Sequence, residues 1–204
     1  MRNIGVFAVT RWSWLLMATL LSACALPERA PAPLRYDFGP PVATTSASPS
    51  GQRAVLALRV QASPALDGPA MLYRLAYADA QQLRAYSQSR WAMAPAELVQ
   101  QRLREGLGRS FALPPAGESA PRLVHVELEE FSQLFTAPQE SSGLLRLRVS
   151  LLQRSAGGEQ LLAQRDWQLQ QPAPSADAAG GVRALNVATE TVVTELVQWL
   201  QMQR

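Results

Sequence analysis

Few side chains in this 204-residue sequence could carry chemistry. The densest group is "VHVELEEF", which holds Glu127, Glu129 and Glu130 beside His125, the single histidine. Neighbouring carboxylates can share general acid and base work, and positions 127 and 129 lie on one face of a strand. The same pattern has a plainer reading. Val124, Val126 and Leu128 alternate with His125, Glu127 and Glu129, so the charged set faces solvent. Arg146 and Arg148, in "LLRLRVSLL", would neutralise the glutamates if the two segments pair. His125 then reads as a surface residue, because a triad needs a nucleophile and an orienting acid placed beside it, and no spacing supplies them. All 19 basic residues are Arg; with no Lys there is neither a P-loop lysine nor a Schiff base. No G-x-S-x-G or H-E-x-x-H occurs. Cys24 is the single cysteine, which excludes an intramolecular disulfide and a cysteine metal cluster. The sequence therefore predicts no catalytic residue, no metal site and no cofactor.

Aromatic residues form a second group. Tyr73, Tyr77, Tyr86 and Trp91 could line a groove for an acyl chain, or could pack a helix on a sheet; their spacing alone favours packing. In "YSQSRWAMAP" the Arg90-Trp91 pair stands between strand-like sequence and Pro95, which fits the first turn of a helix. Arg90, Trp91 and Pro95 thus read as a structural joint. Trp91 is expected to be buried between helix and sheet, with Arg90 holding a nearby carbonyl or carboxylate.

The elements that must position these residues follow from periodicity. Leu34 to Phe38 is a short strand candidate. In "AVLALRVQA", Leu56, Leu58 and Val60 alternate with Arg59 and Gln61. "AMLYRLAYAD" and "QQLRAYSQS" read as a hairpin turning near Asp79. A helix begins at Pro95, with Leu98, Val99, Leu103 and Leu107 as its stripe. It is expected to run to about Ser110, with Glu97 and Arg109 matching the macrodipole. Strands follow in "RLVHVELEEF", with a bulge at Glu130, in "LLRLRVSLL", and in "LLAQRDWQLQ". In the last, Arg165 interrupts the apolar face and marks a bulge or an edge. Val182, Leu185, Thr189, Val192, Leu196 and Trp199 form the stripe of a closing helix. The predicted class is α+β: a mixed, mostly antiparallel sheet with both helices packed on one face.

The N-terminus has a different character. Arg2 and Arg11 precede an apolar run, Trp12 to Leu21, that is shorter than the roughly 20 residues a spanning helix needs. Small residues and Cys24 follow. This is the layout of a secretory signal, and its exit, "LSAC", resembles the bacterial lipobox, whose cysteine is acylated and becomes the first mature residue. The expected organisation is a signal peptide over 1–23, a lipidated tether over 24–33 and one domain over 34–204. Losing Arg2 and Arg11 takes the 19 basic residues to 17 against 16 acidic, so the mature chain is nearly neutral and offers no footprint for nucleic acid. "ALPERAPAP" is a Pro-rich tether, which at about 3 Å per residue holds the domain roughly 30 Å from the lipid. Ala25, rather than Asp, after the cysteine points to the outer membrane. Residues 39–53 form a second turn-rich loop.

Taken in order, the lipobox, "LRYDF", "LDGPAMLYRL", "SRWAMAP", "VHVELEEFSQLF", the Arg-rich strand and the terminal helix resemble the ABC-type transport auxiliary lipoproteins, the PqiC-like group, over about Leu34 to Leu200. Tyr36 stands alone where that family often has a Tyr pair. The resemblance implies a non-enzymatic lipoprotein at the periplasmic face of the outer membrane. Its partners would be a periplasmic MCE-domain protein and an inner-membrane ABC permease and ATPase, with phospholipid as candidate cargo and self-association left open. Two other readings stay open beside it: a carrier that itself binds lipid, and an activator of a cell-envelope enzyme.

Overall fold

Strict alternation in the long apolar segments dictates a sheet that buries one face and leaves the other polar. A computed structural model of the chain describes residues 31–40, 53–115 and 118–203. The signal, Cys24, most of the tether and nearly all of the 39–53 loop lie outside the described residues. Seven strands are present: β1 (Leu34–Tyr36), β2 (Leu56–Ala62), β3 (Ala70–Leu75), β4 (Asp79–Trp91), β5 (Arg122–Ala137), β6 (Glu140–Ser155) and β7 (Gly158–Pro172). Helix α1 (Pro95–Leu107) follows β4, and α2 (Ala178–Met202) closes the chain.

All seven strands join one sheet in the order β1-β4-β3-β5-β6-β7, with β2 also pairing β5. β3 and β2 share one flank of the long strand β5: β2 runs beside Arg122–Leu128 and β3 beside Ser132–Phe135. The sheet is mixed. β3–β4, β5–β6 and β6–β7 are antiparallel, the last two with the longest registers, while β1–β4, β2–β5 and β3–β5 are parallel.

Leu145, Leu147, Val149 and Leu151 of β6 are buried and belong to the same core as Val124, Val126, Leu128 and Phe131 of β5. Leu98, Val99, Leu103 and Leu107 of α1 and Leu185, Val192, Leu196 and Trp199 of α2 fill that core from the same side. Two glycines permit the close approach. A Cβ on Gly106 would collide with Val193, and one on Gly143 would lie 2.8 Å from the amide nitrogen of Leu185. Helix α2 therefore lies almost on the backbone of β6.

Several boundaries differ from expectation. α1 ends at Leu107, and the chain reaches Ser110 through tighter i→i+3 turns, Arg109 N–H to Gly106 and Ser110 N–H to Leu107. Arg104, not Arg109, is thus the basic residue of its last turn. The first strand stops at Tyr36, because Phe38 turns into the core. β5 bulges between Leu128 and Glu130, as its broken alternation predicts. β7 is an edge strand, but its irregularity falls between Ala163 and Leu161, not at Arg165.

Candidate functional site

The joint at the end of β4 is an aromatic cluster. Trp91 is 2 % exposed and meets Phe131 at 5.3 Å and Phe38 at 6.0 Å between ring centroids; Phe38 also meets Phe131 at 6.1 Å. The Trp91 amide donates to the carbonyl of Pro69 at 2.8 Å, and the Ala92 amide to that of Tyr36 at 2.7 Å. Pro95, at the first turn of α1, is buried beside it. One cost remains: the indole Nε1 is buried without a hydrogen-bond partner among the described residues.

Arg90 does not hold a carbonyl or carboxylate. It is exposed, and its guanidinium makes no hydrogen bond or ion pair among the described residues. Strand alternation turns it away from Trp91, and its register partner on β1 is Arg35. Arg102 has the role expected of Arg90. It is 5 % exposed and donates to the carbonyls of Phe38 at 2.8 Å and Gly39 at 3.2 Å. It also pairs with Glu190 of α2 at 3.1 Å and with Glu105 at 3.4 Å. One buried cation thus joins the segment after β1 to both helices, with its charge paired as a buried charge requires. The sequence carried a signal for it: Arg102 sits four residues after Leu98, inside the apolar stripe of α1.

Among the described residues the four aromatic residues considered for a groove do not line one together. Trp91 lies in the core and Tyr77 is 49 % exposed in the turn between β3 and β4. Tyr73 and Tyr86 do meet, with centroids 4.6 Å apart, and Tyr73 also packs edge-on to Phe135 at 5.9 Å. The Tyr86 hydroxyl donates to Gln133 Oε1 at 2.9 Å, and Gln133 Nε2 donates to Ser141 Oγ at 2.8 Å. Gln133 is 1 % exposed, so this chain satisfies a buried amide. Burial, then the fields of Tyr73 and Asp177, push the Tyr86 phenol well above its usual range and keep it a neutral donor. Beside Tyr86 an open groove of about 440 Å³ runs past Tyr36, Ser87 and Ser89 to Asp177 and Ala179.

The glutamates face away from the helices, as their alternation implies. Glu129 pairs with Arg146 at 2.9 Å and with Arg148 at 3.9 Å, and Arg148 donates to Asp166 at 2.8 Å. The Asp166 hydrogen bond, then the charges of Asp166 and Glu129, raise the Arg148 pKa. Glu130 accepts from Arg74 at 3.3 Å and from the Ser132 hydroxyl at 2.6 Å, and the other arm of Arg74 reaches the carbonyls of Ala80 and Gln81. His125 contacts Gln61 Oε1 at 3.0 Å. Each carboxylate that could do acid–base work here, apart from Glu127, is engaged by an arginine. Among the described residues no group of three His, Cys, Asp or Glu could hold a metal, and no helix is long and apolar enough to cross a membrane.

Comparisons with known proteins agree with this architecture. The crystal structure of protein XCC0632 from Xanthomonas campestris is similar at a TM-score of 0.68 and 20 % identity, covering 83 % of this chain and 96 % of that one. A crystal structure of an uncharacterised protein is similar at 0.63 and 12 % identity, covering 83 % and 99 %. At such identities the likeness is one of fold. No curated protein matches the chain. A family model described as "ABC-type transport auxiliary lipoprotein component" matches residues 36–197.

Proposed function

The chain belongs to the ABC-type transport auxiliary lipoprotein component family, and we propose from that premise that it is a non-enzymatic docking component of an MCE-type lipid transport system. Acyl groups on Cys24 hold it at the periplasmic face of the outer membrane. There it receives a periplasmic MCE-domain protein served by an inner-membrane ABC permease and ATPase. The family match over residues 36–197 carries this reading. The sheet supports it with a place to dock. Among the described residues β7 pairs only with β6, so its outer edge keeps a row of free backbone groups that can pair with another chain. Leu161 and Leu162, at the start of that edge, are 53 % and 45 % exposed.

A carrier of lipid would need an apolar cavity lined by the tyrosines, and Tyr73 instead packs on Tyr86 and on Phe135. The deciding experiment is affinity capture from mildly detergent-solubilised membranes. It should recover an MCE-domain protein, Leu161→Asp should reduce that recovery, and Cys24→Ala should release the protein from the membrane. Capture of no MCE-domain protein from intact, lipidated bait overturns the proposal.

A further inference from the structure

Topology fixes the direction in which β1 enters the sheet. β1 is parallel to β4, with Leu34 opposite Ser89 and Tyr36 opposite Trp91. Followed backwards from Leu34, the strand points toward the start of β4, where the β3–β4 turn lies. That end also bears the β5–β6 turn, since Ala76 donates to the Phe135 carbonyl and Ala137 pairs with Glu140. The opposite end bears the β6–β7 turn, since Ser155 pairs with Gly158.

Distances along the strands separate the two ends. Leu34 is level with the start of β3, because Ser89 adjoins Arg90, which pairs with Ala70. From Ala70 to the β3–β4 turn is about 20 Å at 3.3 Å per residue. In the other direction, β5 from Glu130 to Arg122 and the β6 residues beyond it add up to about 36 Å. Ten residue-to-residue steps lead from Cys24 to Leu34, and a chain of that length spans at most about 36 Å. An acyl group on Cys24 can therefore bring the β3–β4 end onto a bilayer with tether to spare. To bring the opposite end down, the chain would have to reverse at once and stretch to its limit.

Surface chemistry agrees. Tyr77 is 49 % exposed at the tip of the β3–β4 turn, between Ala76 and Ala78. Pro138, exposed, occupies the β5–β6 turn. Neither turn carries a basic residue, and Asp79 and Glu140 stand at their rims. Tyrosine is enriched at the membrane–water interface because its ring is apolar and its hydroxyl wet. The uncovered face of the sheet, by contrast, is crossed by the charged network of Glu129, Arg146, Arg148 and Asp166.

We propose that the two hairpin tips form a membrane-contacting end, with Tyr77 seated in the headgroup zone of the bilayer that holds the lipid anchor. This rests on the acylation of Cys24 in the reading above. The test uses the full, lipidated chain in phosphatidylethanolamine–phosphatidylglycerol vesicles. Acylation occupies the single native thiol, so Tyr77→Cys, Pro138→Cys and Ala156→Cys can each carry one environment-sensitive nitrobenzoxadiazole label. Headgroup-nitroxide lipids should lower emission at 77 and 138 by at least twofold and leave 156, in the β6–β7 turn, unchanged. If the acylated protein floats with the vesicles while 77 and 138 remain unquenched, or 156 is quenched as strongly, this inference fails and the anchor stands. If mass spectrometry finds no acyl chain on Cys24, both fail.

Discussion

Trp91 and Tyr86 are five residues apart on one strand, and burial gives them different work. Trp91 fills the space between Phe38 and Phe131, so Trp91→Ala should cost about 3–5 kcal/mol of unfolding free energy in urea titration, as truncation of buried aromatics does. Trp91→Phe should lose less, because it keeps a ring and removes the unpaired indole donor. Tyr86 is needed for its hydroxyl. Tyr86→Phe leaves Gln133 Oε1 buried without its donor, and should cost about 1–3 kcal/mol in the same measurement. The sequence marked Trp91 through its place before a helix-starting proline. It pointed to Arg90 for the guanidinium contact, although Arg102 lies inside the apolar stripe of α1, and the packed structure shows that Arg102 is the buried one.

At the scale of elements, α2 is placed by its ends and its small residues. Asp177 caps it, accepting from the Gly180 amide at 2.7 Å and from the Ser175 hydroxyl at 2.7 Å. These bonds, in that order, with a smaller contribution from Arg183, hold the carboxyl below the usual aspartate range. A depressed folded value means the cap stabilises above the unfolded pKa of about 3.9 and is lost as pH falls through the folded value. Asp177→Ala should therefore cost about 1 kcal/mol near neutral pH, and in urea titrations the gap between wild type and variant should begin to narrow below about pH 4 and close as pH falls through the folded value. The periodic stripe of α2 was readable from Val182 to Trp199. Its contact with Gly143 was not, since that glycine lies just before the segment whose alternation marks the strand and only the structure extends β6 back to Glu140.

For the molecule as a whole, one main core joins α1, α2 and the strands from β2 to β7, running from Phe38 to Leu200, with a small satellite cluster of Ala57, Ala120 and Leu123. Thermal unfolding should accordingly show one transition with equal calorimetric and van't Hoff enthalpies. Two separated transitions would mean that the β1–β3–β4 flank melts apart from the β5–β6–β7 sheet. Composition and periodicity determined the class, most of the strands and helices, the buried and wet faces, and the lack of lysine, because these depend on residue type and local spacing. The family was indicated separately, by the resemblance of its ordered segments to the ABC-type transport auxiliary lipoproteins, and the family model matches residues 36–197. Only the tertiary structure decided that β2 and β3 share one flank of β5, that Arg102 ties the segment after β1 to both helices, that the tyrosines divide between core and tip, and that β1 enters from the hairpin end. Those facts depend on which distant segments pair and in which direction, and strand alternation is the same whether a neighbour runs parallel or antiparallel.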